Sequence, residues 1–377
     1  MSPLFSRILP AMASAYSLQT VLAIIFVPQA NEKYYDFGGA AGFLSTTLVS
    51  LYYPSLRAKF WDRIPDAMLP NLTSFAPRQL LLSACVGVWS VRLGTFLATR
   101  AIKAGGDSRF DQVKHQPSKF AFYWFAQATW VFLVGLPVYL VNSLPVSAHP
   151  PLGPRDYLST ALFAASWLFE IVADHQKTTW RRRKNNKEHD EKFITGGLWS
   201  LSRHPNYVGE VGLWTGIWAL STASLGTAYF PHLTWLLAGI SPITTYFLIR
   251  RVSGVPPLEL ELAAEGNPAF LMLSFVLFGR ASHRAAYGPL TFPMQKAGDK
   301  KFTGPEWEHY KRSVLTPVYC DLLLTIAYLA YTLNRFVHAS GVGRGAPCLS
   351  HRGCDLLQMT ELYPSSGLGA PVLEPNR

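Results

Sequence analysis

Nine residues in the middle of the chain, Ser202 to Glu210 (SRHPNYVGE), place Arg203, His204, Asn206, Tyr207 and Glu210 directly ahead of an apolar stretch. Such a cluster at the edge of a membrane helix costs energy unless something binds it. Pro205 favours the first turn of a helix, and Gly196-Gly197-Leu198-Trp199 gives a flexible entry to it. A helix from Asn206 onward puts Asn206 and Glu210 one turn apart on one face, with Tyr207 beside them. A helix N-terminus flanked by Arg203 and His204 suits an anion such as a phosphate, while Asn206 and Glu210 offer amide and carboxylate hydrogen bonds deeper in. Read alone, His204 serves as well as a cap or an interface histidine. Read together, the run is too dense for filler.

Two further polar groups interrupt apolar surroundings. In WSVRLGTFLATRAIKAGGD, Trp89 to Asp107, Arg92 lies inside a stretch otherwise fit to span a bilayer, where it snorkels or faces a partner or cavity. Arg100, Asp107 and Arg109 follow it. In FEIVADHQK, Phe169 to Lys177, Glu170 and Asp174 are four residues apart and share a helix face. Two carboxylates there can hold a ribose, a cation or an arginine from a neighbouring helix.

The elements that must position these residues are transmembrane. The chain has 377 residues, 49% hydrophobic and only 15% charged, a balance that suits a multi-span membrane protein better than a soluble enzyme. Apolar runs approaching the roughly 20 residues a span needs occur at 11–28, 37–56, 79–99, 120–141, 157–173, 208–223 turning back through 233–248, and 318–333. The expected fold is an all-α polytopic transmembrane helix bundle of about seven spans. The first run has a cleaved signal as its alternative reading, although it lacks a strongly basic start and a clear small-residue cleavage site.

The net charge of +11 does not point to nucleic acid, because the positive residues lie mostly in the links between spans. By the positive-inside rule, the basic run from Lys177 to Lys187 and the group Arg100, Lys103, Arg109 and Lys114 place their links in the cytosol, as does a third group from Arg250 to Arg312. The segment 142–154 has no Lys or Arg until Arg155, which suits the opposite side. Arg57, Lys59 and Arg63 run against this scheme, in a link that the same topology makes lumenal. The triplet Asn71-Leu72-Thr73 there supports the lumenal placement. Cys85, Cys320, Cys348 and Cys354 form neither a metal spacing nor a disulfide framework, so no metal is expected. Soluble-enzyme signatures (GxGxxG after a strand, P-loop, GxSxG, HExxH) are missing.

The segments WSVRLGTFLATRAIKAGGDSRFD, WLFEIVADHQK, GGLWSLSRHPNYVGEVGLW and SPITTYFLIRRVSGVPPLE together resemble membrane proteins of the DUF1295 type. These group with the steroid 5-alpha-reductase C-terminal domain superfamily, which also holds sterol reductases and, more distantly, isoprenylcysteine carboxyl methyltransferases. The resemblance covers roughly residues 81–261 and, more faintly, 306–317. RHPNY alone is shared with the methyltransferases and does not decide the reaction.

The resemblance implies an integral membrane enzyme, with the endoplasmic reticulum as the expected membrane, whose NADPH site opens to the cytosol. Its substrate would be a lipid or sterol-like small molecule. Cofactor-binding positions carried over from it are Asp174, Lys177, Arg203, His204 and Asn206, with Tyr310, Lys311 and Arg312 near the cofactor phosphates. Tyr207 and Glu210 are the expected catalytic residues, with Tyr207 or, equally, a Tyr from an early span as the hydroxyl donor to a substrate carbonyl. The alternatives are an S-adenosylmethionine-dependent membrane methyltransferase and a non-catalytic lipid-binding protein. The implied organisation is an N-terminal transmembrane hairpin at 1–76, a reductase-like membrane domain at 77–261, an atypical insertion at 262–300, a C-terminal portion with a further span at 301–340, and a tail at 341–377. The tail is rich in Gly, Pro and Ser and without helical period, so it is expected to be disordered.

Overall fold

The computed structural model describes residues 3–64, 68–104, 106–202 and 204–249, and no strand occurs among them. The chain runs through α1 (Pro3–Phe26), α2 (Tyr35–Leu56), α3 (Pro77–Ala104), α4 (Pro117–Asn142), α5 (Pro154–Asn185), α6 (Pro205–Leu225), α7 (Thr234–Leu237) and α8 (Ile240–Phe247). Five of these helices open on a proline, the residue whose fixed φ and missing N–H cost nothing in a first turn. The expected span at 318–333, the insertion at 262–300, the tail, and Arg203, Tyr310, Lys311 and Arg312 lie outside the described residues.

Among the described residues, three stretches are long and apolar enough to cross a membrane: Ser6–Phe26, Pro77–Lys103 and Pro117–Asn142. Helices α2, α5 and α6 have sufficient length but are diluted by other residues. Ser45, Thr46, Thr47 and Ser50 line α2, charges gather on the C-terminal half of α5, and glycines and hydroxyls recur along α6. The expected continuous return helix at 233–248 is broken into α7 and α8. Pro242 has no N–H to offer Ala238, and Gly239 sits at the break. The Trp218 indole takes the exposed turn in hand by donating to the Trp235 carbonyl at 2.8 Å.

Helix α4 is buried along most of its length and packs against α1, α2, α6 and α8. Among the described helices the most extensive packing is between α5 and α6, and small residues explain it. A Cβ at Gly209 would lie 2.8 Å from the Glu170 backbone nitrogen, and one at Gly216 would lie 2.8 Å from that of Phe163. Backbone-to-backbone approach of this kind is how helices associate in lipid, where apolar burial alone gives no preference for a neighbouring helix.

From α2 to α6 the helices alternate in direction, so their links fall at two ends. At one end, buried Arg78 of α3 pairs with Asp156 of α5, donating from Nε at 2.9 Å and from an NH2 nitrogen at 2.7 Å. Its remaining donors reach the carbonyls of Pro150 and Pro151 and the Ser224 hydroxyl. Asp156 also accepts from the Gly153 amide at 2.8 Å. Fully satisfied in this way, the pair tolerates burial, and removal of either partner would strand a charge. Beside it, His149 Nε2 lies 3.3 Å from the Leu144 carbonyl and Nδ1 lies 3.1 Å from Ser224 Oγ. The carbonyl can only accept, so the proton sits on Nε2. Burial pushes this imidazole down to about 4, with nearby Arg78 adding to the shift.

Candidate functional site

The opposite end gathers most of the chemistry-bearing residues. Arg92 of α3 reaches across to α5 and bridges Glu170 and Asp174 with one guanidinium nitrogen each. The two carboxylates are buried, and their i, i+4 spacing puts them on the one face of α5 that Arg92 meets. Of the two readings of Arg92, the partner reading holds: it is an interhelical clasp.

Glu210 of α6 is set by indoles. Its Oε2 accepts from Trp89 Nε1 and its Oε1 from Trp214 Nε1, each at 3.0 Å. Both tryptophans are fully buried in an edge-to-face cluster with Phe43 and Trp130. A buried indole must find an acceptor, and here one carboxyl serves two. Glu170 neighbours Glu210, and its Oε2 is buried without a donor among the described residues. A proton on either carboxyl would join the two.

The close approach at Gly209 sets this juxtaposition, because the residue before Glu210 lies against the backbone of Glu170. The preceding link is fixed to α5 as well. Gln176 Oε1 accepts from the Leu198 amide at 3.0 Å, and Trp199 Nε1 donates to the Ala173 carbonyl at 3.1 Å. Gly197 has a φ of 64°, and a Cβ there would meet the Gln176 amide at 2.6 Å. The expected flexible entry is thus a held turn that delivers the start of α6 to the site.

Helix α6 begins at Pro205 with His204 before it, as the motif predicted. The His204 and Tyr207 rings stack with centroids 5.2 Å apart. Tyr207 lies within electrostatic reach of Arg109, Arg100 and Asp174. Asn206 Oδ1 is buried with no hydrogen-bond partner among the described residues. Lys177 stands over the Trp199 ring, 4.8 Å from its centroid.

Asp174, Asn206, Tyr207 and Glu210 therefore come to one end of the α3, α5 and α6 group, with His204 alongside and Lys177 one turn further out along α5. Sequence reasoning missed three contributors. Trp89 and Trp214 lie within the quoted segments without being singled out, and Asp36 of α2 gave no signal at all. Asp36 accepts from Arg109 at 2.7 Å and lies 3.7 Å from Arg100. Arg109 also pairs with Asp107. Burial alone would raise the Asp107 carboxyl, but its hydrogen bonds to Arg109 and the charge of that residue outweigh burial and hold it below the usual carboxylate range. Among the described residues no group of His, Cys, Asp and Glu is arranged to hold a metal ion.

Chemically, the arrangement offers an oriented carboxyl pair, a buried amide oxygen with no donor among the described residues, a phenol and a guanidinium-rich rim. A family model described as "Protein of unknown function (DUF1295)" matches residues 66–270, which contain α3 to α8. No curated protein and no solved structure matches the chain. The match spans more than half of the sequence and carries the motifs from which the resemblance was read, so the chain belongs to the DUF1295 family.

Proposed function

We propose that the chain is a multi-pass membrane oxidoreductase of about seven spans that reduces a carbon-carbon double bond of a lipid or steroid-like enone with NADPH. Its site would open to the cytosol, and the endoplasmic reticulum is the proposed membrane. The observation that carries this reading is the buried Oδ1 of Asn206, which has no hydrogen-bond partner among the described residues and lies one turn before Glu210 on α6. An orphaned amide oxygen in such a place suits a ligand that donates hydrogen bonds, and the carboxamide of a nicotinamide is such a donor.

The remaining residues fit the same cofactor. Arg100 and Arg109, oriented by Asp36 and Asp107, supply positive charge on the Tyr207 side. His204 and Lys177 lie on the polar rim, and Arg203, Tyr310, Lys311 and Arg312 are assigned to the phosphates from the sequence alone. Bound NADPH would supply a hydride for the beta carbon of the polarised double bond. In this reading Tyr207 donates to the substrate carbonyl, and Glu210, oriented by two indoles, holds the proton it shares with Glu170 close to the reacting face.

The test is cofactor binding by the purified full chain in detergent, titrated separately with NADPH, NADH and S-adenosylmethionine. Saturable binding of NADPH, weaker for NADH, is the expected result. Saturable binding of S-adenosylmethionine alone would replace the reductase with a methyltransferase, and binding of none would leave a lipid-binding protein without a cofactor.

A further inference from the structure

The link between α2 and α3 carries the basic residues that run against the charge rule, and its surface accounts for them. After α2 the chain continues as a widened, π-type helical turn at Arg57–Trp61, with the Asp62 amide bonded to the Arg57 carbonyl at 2.9 Å. Along this link Trp61 is 84% exposed, Met68 82% and Phe60 70%. Ile64, Leu69 and Leu72 are exposed beside them. Arg57, Lys59 and Arg63 are exposed among these apolar side chains. Water would have to cover this mixture if nothing else did.

The far end of the link folds back onto α2. Its last residues return to the helix they left, because the Phe75 ring packs edge-on against Tyr52 in the final turns of α2, centroids 5.0 Å apart. The Ala76 amide is then fixed to Gln79 Oε1 at 2.9 Å as α3 begins. Both ends of the link are thus held at the level of the last turns of α2 and the first turn of α3, a helix long and apolar enough to cross a membrane. Aromatic and aliphatic side chains interleaved with Arg and Lys, at that level, have the composition of segments that lie in the headgroup region.

We propose that the link is an interfacial anchor, with Phe60, Trp61 and Met68 inserted at the boundary of headgroups and acyl chains and with Arg57, Lys59 and Arg63 against lipid phosphates. Phosphates face the membrane on both sides, so these charges report contact with lipid and do not vote on which side the link occupies. The proposal rests on the reading that α3 crosses the bilayer.

The experiment uses the full chain with Cys85, Cys320, Cys348 and Cys354 replaced by alanine, reconstituted in vesicles of phosphatidylcholine with a quarter phosphatidylserine. A single cysteine introduced by Trp61→Cys carries an environment-sensitive fluorophore, and Val88→Cys, on an exposed part of α3, serves as the reference. Quenching is read with nitroxides placed shallow or deep on lipid acyl chains and with aqueous iodide. The expected result is a label at 61 quenched at least twofold more by shallow nitroxide than by iodide, while the label at 88 responds to deep nitroxide. Iodide quenching at 61 without lipid quenching overturns the proposal, as does protection from both, which would mean a protein partner covers the segment. If the label at 88 answers to iodide and not to lipid, the spanning reading itself has failed, and the anchor fails with it.

Discussion

The Cβ of Glu170 would lie 2.7 Å from a Cβ placed on Gly209, so the carboxylate at the centre of the site stands where it does because α6 has no side chain there. Gly209→Ala cannot be absorbed by a rotamer change, since Ser166 O and Glu170 N sit 2.8 Å from the same point. The helices would have to part. Gly212→Ala meets chiefly the Ser166 hydroxyl, which can turn away. The first variant is expected to lose about 2 kcal/mol or more, in the range of overpacked sites, and the second clearly less. Thermal unfolding of both in detergent checks the order, and equal losses would mean the close approach is unimportant.

Arg92 bridges two buried carboxylates with its single positive charge. Arg92→Ala should cost about 3–5 kcal/mol, because it leaves charge in a poorly solvated place. Arg92→Leu combined with Glu170→Gln and Asp174→Asn removes the stranded charges and should recover most of that loss. Denaturant or thermal midpoints of the single and triple variants separate the two cases. A single variant as stable as the wild type would show that the clasp is solvated and weak.

Much of this site could be read from the chain because membrane burial makes polar residues conspicuous. Arg92, Glu170 and Asp174 stand out against apolar neighbours, and their spacing already offered an arginine as one partner for the carboxylates. Pro205 marked the start of α6 for a local reason, so no tertiary knowledge was needed. Trp89 and Trp214 were not legible as ligands of Glu210, since an indole in an apolar run packs well whether or not it donates. The Arg78 and Asp156 pair was hidden differently. Both residues occupy first turns of helices, where charges are ordinary, and 78 positions separate them. The split of α7 from α8 followed from Pro242 and Gly239, which a hydropathy reading of 233–248 passes over.

His149 provides a pH test away from the site. Its folded value is depressed to about 4, while an unfolded histidine titrates near 6.5. Its neutral form therefore contributes stability that is fully present above the unfolded value and is lost as pH falls from about 6.5 towards 4. On protonation Nδ1 can no longer accept from Ser224 Oγ, and Arg78 is close by. The wild type should lose thermal midpoint between pH 7 and pH 4.5 by more than His149→Gln does. Identical pH slopes for the two proteins would remove His149 from the explanation.

Asn206 separates stability from function. Its Oδ1 has no hydrogen-bond partner among the described residues, so Asn206→Ala removes no internal hydrogen bond at that atom and relieves a desolvated one. The thermal midpoint without cofactor should stay within a degree or two of wild type or rise. Binding is a different matter if the amide accepts from a nicotinamide. A neutral hydrogen bond contributes about 0.5–1.5 kcal/mol net, so NADPH affinity should fall roughly two- to tenfold. Turnover should fall further, because a cofactor that loses its orienting contact reaches the reactive geometry less often. Glu210→Gln makes the contrasting case. It replaces one of the acceptor oxygens used by Trp89 and Trp214 with an amide donor, so its stability should drop even before cofactor is added. Unchanged midpoint, affinity and turnover in Asn206→Ala would show that the orphaned oxygen meets nothing in the working protein, and the cofactor site would have to be sought elsewhere in the bundle.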